Sequence, residues 1–257
     1  MKKIKAVIFD MDGVLIDSET IEKKNMIKGA EVNSLPFEDD FFELFLGCNN
    51  EMSYQILLDR YQDYKIVDKY LNDLEQLQTK EYKEGNIKLK PGTKEIIDYL
   101  RNNNIPYALA TGSSYKYAEL DFIQNGYNKI PFDHIVTGDQ IINSKPNPEI
   151  FIKAANLMNI SINDCLVVED SPKGIDAAYS SGAQSCFVPD LVKANESILS
   201  KATYHKNNLL EVIQLIESLI KWFLISKPHR YYLVHQKSPY RCKSASRKVP
   251  KRCNSTI

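Results

Sequence analysis

The chain has 257 residues, 43% hydrophobic and 26% charged, which is globular composition with length for one large domain or two small ones. Its 33 basic and 33 acidic side chains cancel only formally: no acid follows Glu217, the last 40 residues carry ten of the Lys and Arg, and residues 1–217 hold a net charge of −10. No run of 18 apolar residues occurs, Asp10 ends the apolar stretch that follows Met1-Lys2-Lys3, and the five cysteines show no metal-ligand spacing. Neither a membrane span nor a secretory leader is expected, and a reduced, cytoplasmic protein is.

Ile4–Phe9 reads as the first strand, too continuously apolar to be half exposed. Between it and Pro91-Gly92 lie about 75 residues without a convincing strand, rich in Glu, Asp, Lys, Leu and Tyr at helical spacing. A loop of that length is implausible, so residues 15–87 are expected to form an inserted helical cap domain. Tyr107–Ala110, His134–Thr137, Leu166–Val168 and Ser185–Val188 read as further strands. Helical patterns separate them. Asn147-Pro148 and Ser171-Pro172 each place an N-cap residue before a proline at the first helical position. Phe151, Ala154, Ala155 and Met158 then mark one buried helix face, as do Leu209, Val212, Ile213, Ile216 and Ile220.

This alternation predicts an α/β fold, a doubly wound parallel sheet of Rossmann-like type formed by residues 1–14 and 88–225. Residues 226–257, with Lys, Arg, Ser and Pro but no acid, read as a poorly ordered basic tail.

In open α/β sheets, ligands collect at the carboxyl ends of the strands. The first strand ends in Asp10-Met11-Asp12-Gly13, the second in Thr111-Gly112-Ser113, and the fourth in Glu169-Asp170-Ser171, while Ser144-Lys145-Pro146 follows the third. Each has a bland explanation: a turn, an N-cap, a solvated lysine, acids favouring a helix N-terminus. The combination at one rim is more specific. Crowded carboxylates need a cation, and a few hard oxygen ligands favour Mg²⁺. The Thr111 hydroxyl, the Gly112 amide and the Lys145 ammonium would complete a phosphate cradle. One carboxylate beside the phosphorus can act as nucleophile, and a second as acid and then base.

The motifs DMDGV (10–14), ATGS (110–113), SKPNPEIF (144–151) and VVEDSPKGIDAA (167–178) resemble the haloacid dehalogenase-like hydrolase superfamily, in its β-phosphoglucomutase and pseudouridine-5′-phosphatase branch with a type-1 cap. The resemblance implies Asp10 as nucleophile and Asp12 as acid and base. It implies Mg²⁺ held by Asp10, the Asp12 carbonyl, Asp170 and Glu169, and phosphate bound by Thr111, Gly112 and Lys145. Asp12 argues against a dehalogenase, whose halide leaving group needs no acid. The resemblance aligns Glu22 with the cap histidine of the mutases and Asn50 with their cap arginine; neither supplies the positive clamp that a sugar bisphosphate needs.

A phosphomonoester phosphatase on a small metabolite, a sugar phosphate or nucleotide-like ester, is therefore expected. The alternative within the family is a phosphosugar mutase. Glu22, Cys48, Asn49 and Asn50 are the candidate specificity residues of the cap, and a monomer is expected. The basic tail, with Arg241, Lys243, Arg247 and Lys248, leaves a non-catalytic nucleic-acid-binding protein as the reading of another class, with nucleic acid not the expected partner.

Overall fold

The structure is a computed structural model and describes residues 2–45, 48 and 50–225. The basic tail read at 226–257 and the cap candidate Asn49 lie outside the described residues. Six strands form one sheet: β1 (Ala6–Phe9), β2 (Tyr107–Ala110), β3 (His134–Val136), β4 (Cys165–Glu169), β5 (Gln184–Phe187) and β6 (Tyr204–His205). Their spatial order is β3-β2-β1-β4-β5-β6, and every pair is parallel. That is the doubly wound order expected from the strand–helix alternation.

Side-chain alternation with period two divides the strands between two faces. Val7, Phe9, Leu109, Leu166 and Val168 point into a cluster completed by α5 (Thr93–Asn102), α6 (Tyr115–Gln124) and α10 (Leu209–Ile225). Ala6, Ile8, Ala108, Ala110 and Val167 point into the opposite cluster, built with α7 (Glu149–Leu157) and α8 (Pro172–Ser181). Both faces are covered, which explains why these strands read as unbroken apolar runs.

Several details differ from the sequence reading: β1 begins at Ala6 rather than Ile4, and β5 spans Gln184–Phe187 rather than Ser185–Val188. Helix α7 begins one residue later than expected, with Pro148 as its N-cap, while the Asn147 carboxamide accepts from the Glu149 amide at 3.0 Å. The strand β6 carries no apolar run and has only two residues, so periodicity gives it no signal. Ser171 and Pro172 behave as expected, the Ser171 hydroxyl accepting from the Gly174 amide at the start of α8.

A helical insertion follows β1 and forms the cap. It contains α1 (Glu19–Val32), α2 (Asp39–Glu43), α3 (Asn50–Tyr61) and α4 (Tyr64–Glu84), packed around Met26, Phe41, Phe42, Leu57, Val67 and Tyr70. This core is separate from both sheet clusters. The Tyr70 hydroxyl donates to the Met26 carbonyl at 3.0 Å, binding α4 to α1.

The segments that leave and re-enter the sheet domain lie side by side. Asp17 N donates to Lys88 O and Lys90 N to Leu15 O, each at 2.8 Å, with an antiparallel bridge between Ile16 and Leu89. No helix among the described residues is long and apolar enough to cross a membrane.

Candidate active site

The winding direction of the sheet reverses between β1 and β4, and a crevice opens there at the strand ends. Register fixes what faces it. Phe9 pairs with Val168 and Asp10 N donates to Val168 O at 3.0 Å, so Asp10 and Glu169 leave the sheet side by side. On the other flank Thr111 N donates to Val136 O at 3.0 Å, which carries Thr111 to the same rim. Gly13, at φ 73°, turns the chain back over the strand ends. An added Cβ there would stand 2.1 Å from Asp170 Oδ2, so this backbone approach requires glycine.

Lys145 joins the two sides of the crevice. Its ammonium donates to Asp10 Oδ1 at 2.5 Å and to Glu169 Oε1 at 2.6 Å, and the side chain lies over the Phe151 ring with the residue only 5% exposed. Burial opposes the ammonium charge, but Asp10 and Glu169 outweigh it and raise Lys145 above the ordinary lysine value. Burial pushes the Asp10 carboxyl up to about 8; Lys145 acts against this, while Glu169 and Asp12 add to it. Direct contact with Lys145 favours an ionic pair, and the upward push on Asp10 comes first from burial and only then from the Glu169 and Asp12 charges.

Asp12 is held by three hydroxyls from two segments. Ser18 donates to Oδ1 at 2.5 Å, and Thr111 and Ser113 donate to Oδ2 at 3.1 Å and 2.8 Å. The carboxylate is thereby fixed in one orientation. The Thr111 hydroxyl, expected to face a phosphate, spends its one proton on Asp12 and accepts from the Ser113 amide at 3.0 Å. Gly112 is exposed at the rim with open space about it.

Glu169 and Asp170 divide their tasks. Glu169 Oε2 accepts from the Asp170 and Ser171 amides and from the Ser171 hydroxyl, and so holds in place the residue that caps α8. Only Oε1, shared with Lys145, faces the crevice chemistry. Asp170 is 2% exposed, its Oδ1 is buried without a hydrogen-bond partner, and no described residue donates to its side chain. Burial first, then the charges of Glu19, Glu169, Asp10 and Asp190, raise its carboxyl well above the usual carboxylate range. Asp10, Glu169 and Asp170 offer ligand oxygens within 4.8 Å of one another. An orphaned buried carboxylate oxygen within an all-oxygen donor set suits a hard divalent cation.

The motif order had pointed to one hydrolase family, and a direct comparison decides the matter. The profile described as haloacid dehalogenase-like hydrolase matches residues 7–188, well over half of the chain. The chain belongs to this family. A probable pseudouridine-5′-phosphatase of Drosophila melanogaster is 32% identical over 197 residues, which span 74% of this chain and 84% of that protein. The β-phosphoglucomutase of Bacillus subtilis strain 168 is 30% identical over 188 residues, 70% of this chain and 80% of the mutase. Among solved structures, a hydrolase from Pseudomonas syringae superposes with a TM-score of 0.72 at 19% identity, covering 83% of this chain and 98% of its own, and this likeness concerns the fold.

The cap of this haloacid dehalogenase-like hydrolase touches the core near the crevice. Lys173, on α8, places its ammonium 2.7 Å from Cys48 Sγ and 3.2 Å from the Leu44 carbonyl, and the Ser144 hydroxyl reaches Met52 Sδ at 3.5 Å. Cys48 is thus at the junction of cap and core, while Asn50 is exposed at the start of α3. Glu22, in α1, has an exposed edge but is crowded by protein; that crowding, and then the charge of Asp12, raises its carboxyl to about 7, with water at the exposed edge moderating the effect.

Six neighbours of the site carried no role in the sequence expectations: Ser18, Ser113, Lys173, Glu19, Asp190 and its partner Lys90. The rule that located the others also applies to Asp190, which follows Val188-Pro189 just beyond β5. Ser113 stood inside a quoted motif but carried no role. Glu19 looks like an ordinary acid in the first turn of a helix, and nothing local distinguishes it.

Proposed function

We propose that this hydrolase is a Mg²⁺-dependent phosphomonoester phosphatase acting on a small phosphorylated metabolite through an aspartyl-phosphate on Asp10. The observation that carries the reading is the placement of Asp12. It stands two residues from Asp10 at the rim, fixed by three hydroxyls, where an acid and base is needed for an alkoxide leaving group. Cleavage of a carbon–halogen bond has no use for it.

Lys145 orients Asp10 through Oδ1. The Asp10 carboxylate attacks phosphorus, the bond from phosphorus to the ester oxygen breaks, and Asp12 gives that oxygen a proton. Water then attacks the phosphorus of the acyl phosphate, Asp12 takes its proton, and the bond from phosphorus to the Asp10 oxygen breaks to free inorganic phosphate and regenerate the carboxylate. Mg²⁺, when held by Asp10, the Asp12 carbonyl, Asp170 and the Oε1 side of Glu169, supplies charge that offsets the phosphoryl oxygens. Lys145, the Gly112 amide and the Thr111 hydroxyl, once turned from Asp12, serve the same oxygens.

The cap residues Glu22, Cys48 and Asn50 present a carboxyl, a thiol and an amide, which suit a hydroxyl-rich leaving group such as a sugar or nucleoside. Similarity to the Bacillus subtilis mutase supports a second reading, transfer of phosphate to another sugar hydroxyl. Against it, Glu22 and Asn50 offer no positive charge for a second phosphate. Phosphate release from sugar phosphates, nucleotides, pseudouridine-5′-phosphate and glycerol phosphates, with and without Mg²⁺, tests both readings. Conversion of β-glucose 1-phosphate to glucose 6-phosphate without phosphate release would favour the mutase, and full activity in Asp10→Asn would remove the covalent mechanism.

A further inference from the structure

Beside the first acidic group lies a second, formed by Glu19, Asp170 and Asp190, whose ligand oxygens also fall within 4.8 Å of one another. Three segments converge on it: the first turn of α1, the β4 end and the β5 end. Glu19 is 7% exposed, and no described residue donates to its carboxylate. The Asp190 side chain is 8% exposed; Lys90 engages its Oδ1, while Oδ2 is buried without a partner. That oxygen is aimed inward. The point where a Cβ on Gly13 would sit is 3.2 Å from Asp190 Oδ2 and 2.1 Å from Asp170 Oδ2, so both oxygens face the same space above the glycine backbone.

Charge balance gives a separate reason to expect a ligand. Around the crevice, the carboxylates of Asp10, Asp12, Glu19, Glu169, Asp170 and Asp190, if all ionised, meet only the ammonium groups of Lys145 and Lys90 among the described residues. The surplus is four negative charges, and one divalent cation at Asp10, Glu169 and Asp170 removes half of it. A phosphate ester would bring further negative charge into the same space.

We propose that Glu19, Asp170 and Asp190 bind a second divalent cation of the Mg²⁺ class, with Asp170 shared between the two sites. The donors are all carboxylate oxygens, which select hard ions over thiophilic ones. Asp190 carries the ion on Oδ2 while Lys90 retains Oδ1. Because Glu19 begins α1, the ion fastens the base of the cap to the ends of β4 and β5. This rests on the reading of Asp10, Glu169 and Asp170 as the first site.

The test is to count ions on the full chain, using Mn²⁺ added in stoichiometric steps at neutral pH, with free Mn²⁺ read by electron paramagnetic resonance. Wild type is expected to take up two tightly bound ions, and Glu19→Gln and Asp190→Asn one each, with circular dichroism confirming that both remain folded. Uptake of one ion or none by wild type overturns the proposal whatever the variants do, as does uptake of two by both folded variants. The first-site reading fails on different results: Asp10→Asn with an unchanged ion count and unchanged phosphate release.

Discussion

Lys145 donates to Asp10 Oδ1 at 2.5 Å, a charge-assisted bond between residues 135 positions apart in sequence. The same ammonium holds Glu169, so its removal strands two buried carboxylates. In Lys145→Met, phosphate release is expected to fall by about 10²–10³-fold. Stability should drop by about 3–5 kcal/mol, the usual loss when one member of a buried ionic set is deleted. Urea unfolding and steady-state phosphate release measure the two effects separately.

In the proposed mechanism Asp12 gives a proton in one step and takes one in the next, and an aryl phosphate separates the two demands. Nitrophenolate leaves without an acid, so Asp12→Asn should still release it rapidly in a first turnover and form the acyl phosphate. Hydrolysis of that intermediate needs the base and should slow by about 10²–10⁴-fold. Rapid mixing with p-nitrophenyl phosphate is expected to show a burst of one equivalent, and a slow linear trace with no burst would contradict this division of labour.

Gly13 tests the close approach at the rim. In Gly13→Ala the new methyl carbon meets Asp170 Oδ2, on a backbone at φ 73° that disfavours a side chain. The backbone strain alone is about 1–3 kcal/mol. The larger effect is expected on the ion, since Asp170 has to move: the Mg²⁺ concentration for half-maximal activity should rise steeply while the fold persists. Mg²⁺ titration of activity, with thermal melting as control, measures both.

Asp121 in α6 is 1% exposed and its Oδ1 has no hydrogen-bond partner. Burial, then the charge of Asp12, raises its carboxyl to about 8, against the opposing influence of Tyr82 from the cap. The folded chain therefore keeps a proton that the unfolded chain releases near an ordinary carboxylate value. This group's contribution to stability is greatest in acid and declines as pH rises from about 4 to about 8. Asp121→Asn should flatten the decline and stabilise the protein at the alkaline end, as unfolding curves across that interval would record.

The sheet was legible in the sequence because burial on both faces leaves a plain signal, unbroken apolar residues, at Tyr107–Ala110 and its neighbours. The convergence of Asp10, Asp12, Thr111 and Asp170 was legible because strand ends in such a sheet meet at one rim and each stood at or just after one, whereas Lys145 was placed only by the loop that follows β3. The reading was incomplete where a residue reaches the rim by a longer path. Glu19 arrives through the turn at Gly13, and Lys90 returns from the cap after a long excursion. Glu169 shows a different limit, since the same two adjacent acids could cap a helix or face a ligand. Side-chain geometry gives Glu169 Oε2 to the turn and to Ser171, the residue that caps α8, and leaves Asp170 Oδ1 unengaged.

The paired segments Leu15–Asp17 and Lys88–Lys90 carry a mechanical consequence. Two separate tethers would let the cap swing, slide and rotate almost independently of the sheet. Bonded to each other, they form a single two-stranded stem that neither side can lengthen alone, and the cap's freedom reduces to bending or twisting that stem. The Thr93 hydroxyl, donating to the Leu15 carbonyl at 2.9 Å, anchors the stem to the first turn of α5. Any displacement of the cap by an arriving ester is therefore delivered to the backbone a few residues beyond Asp12, the residue proposed to transfer the protons.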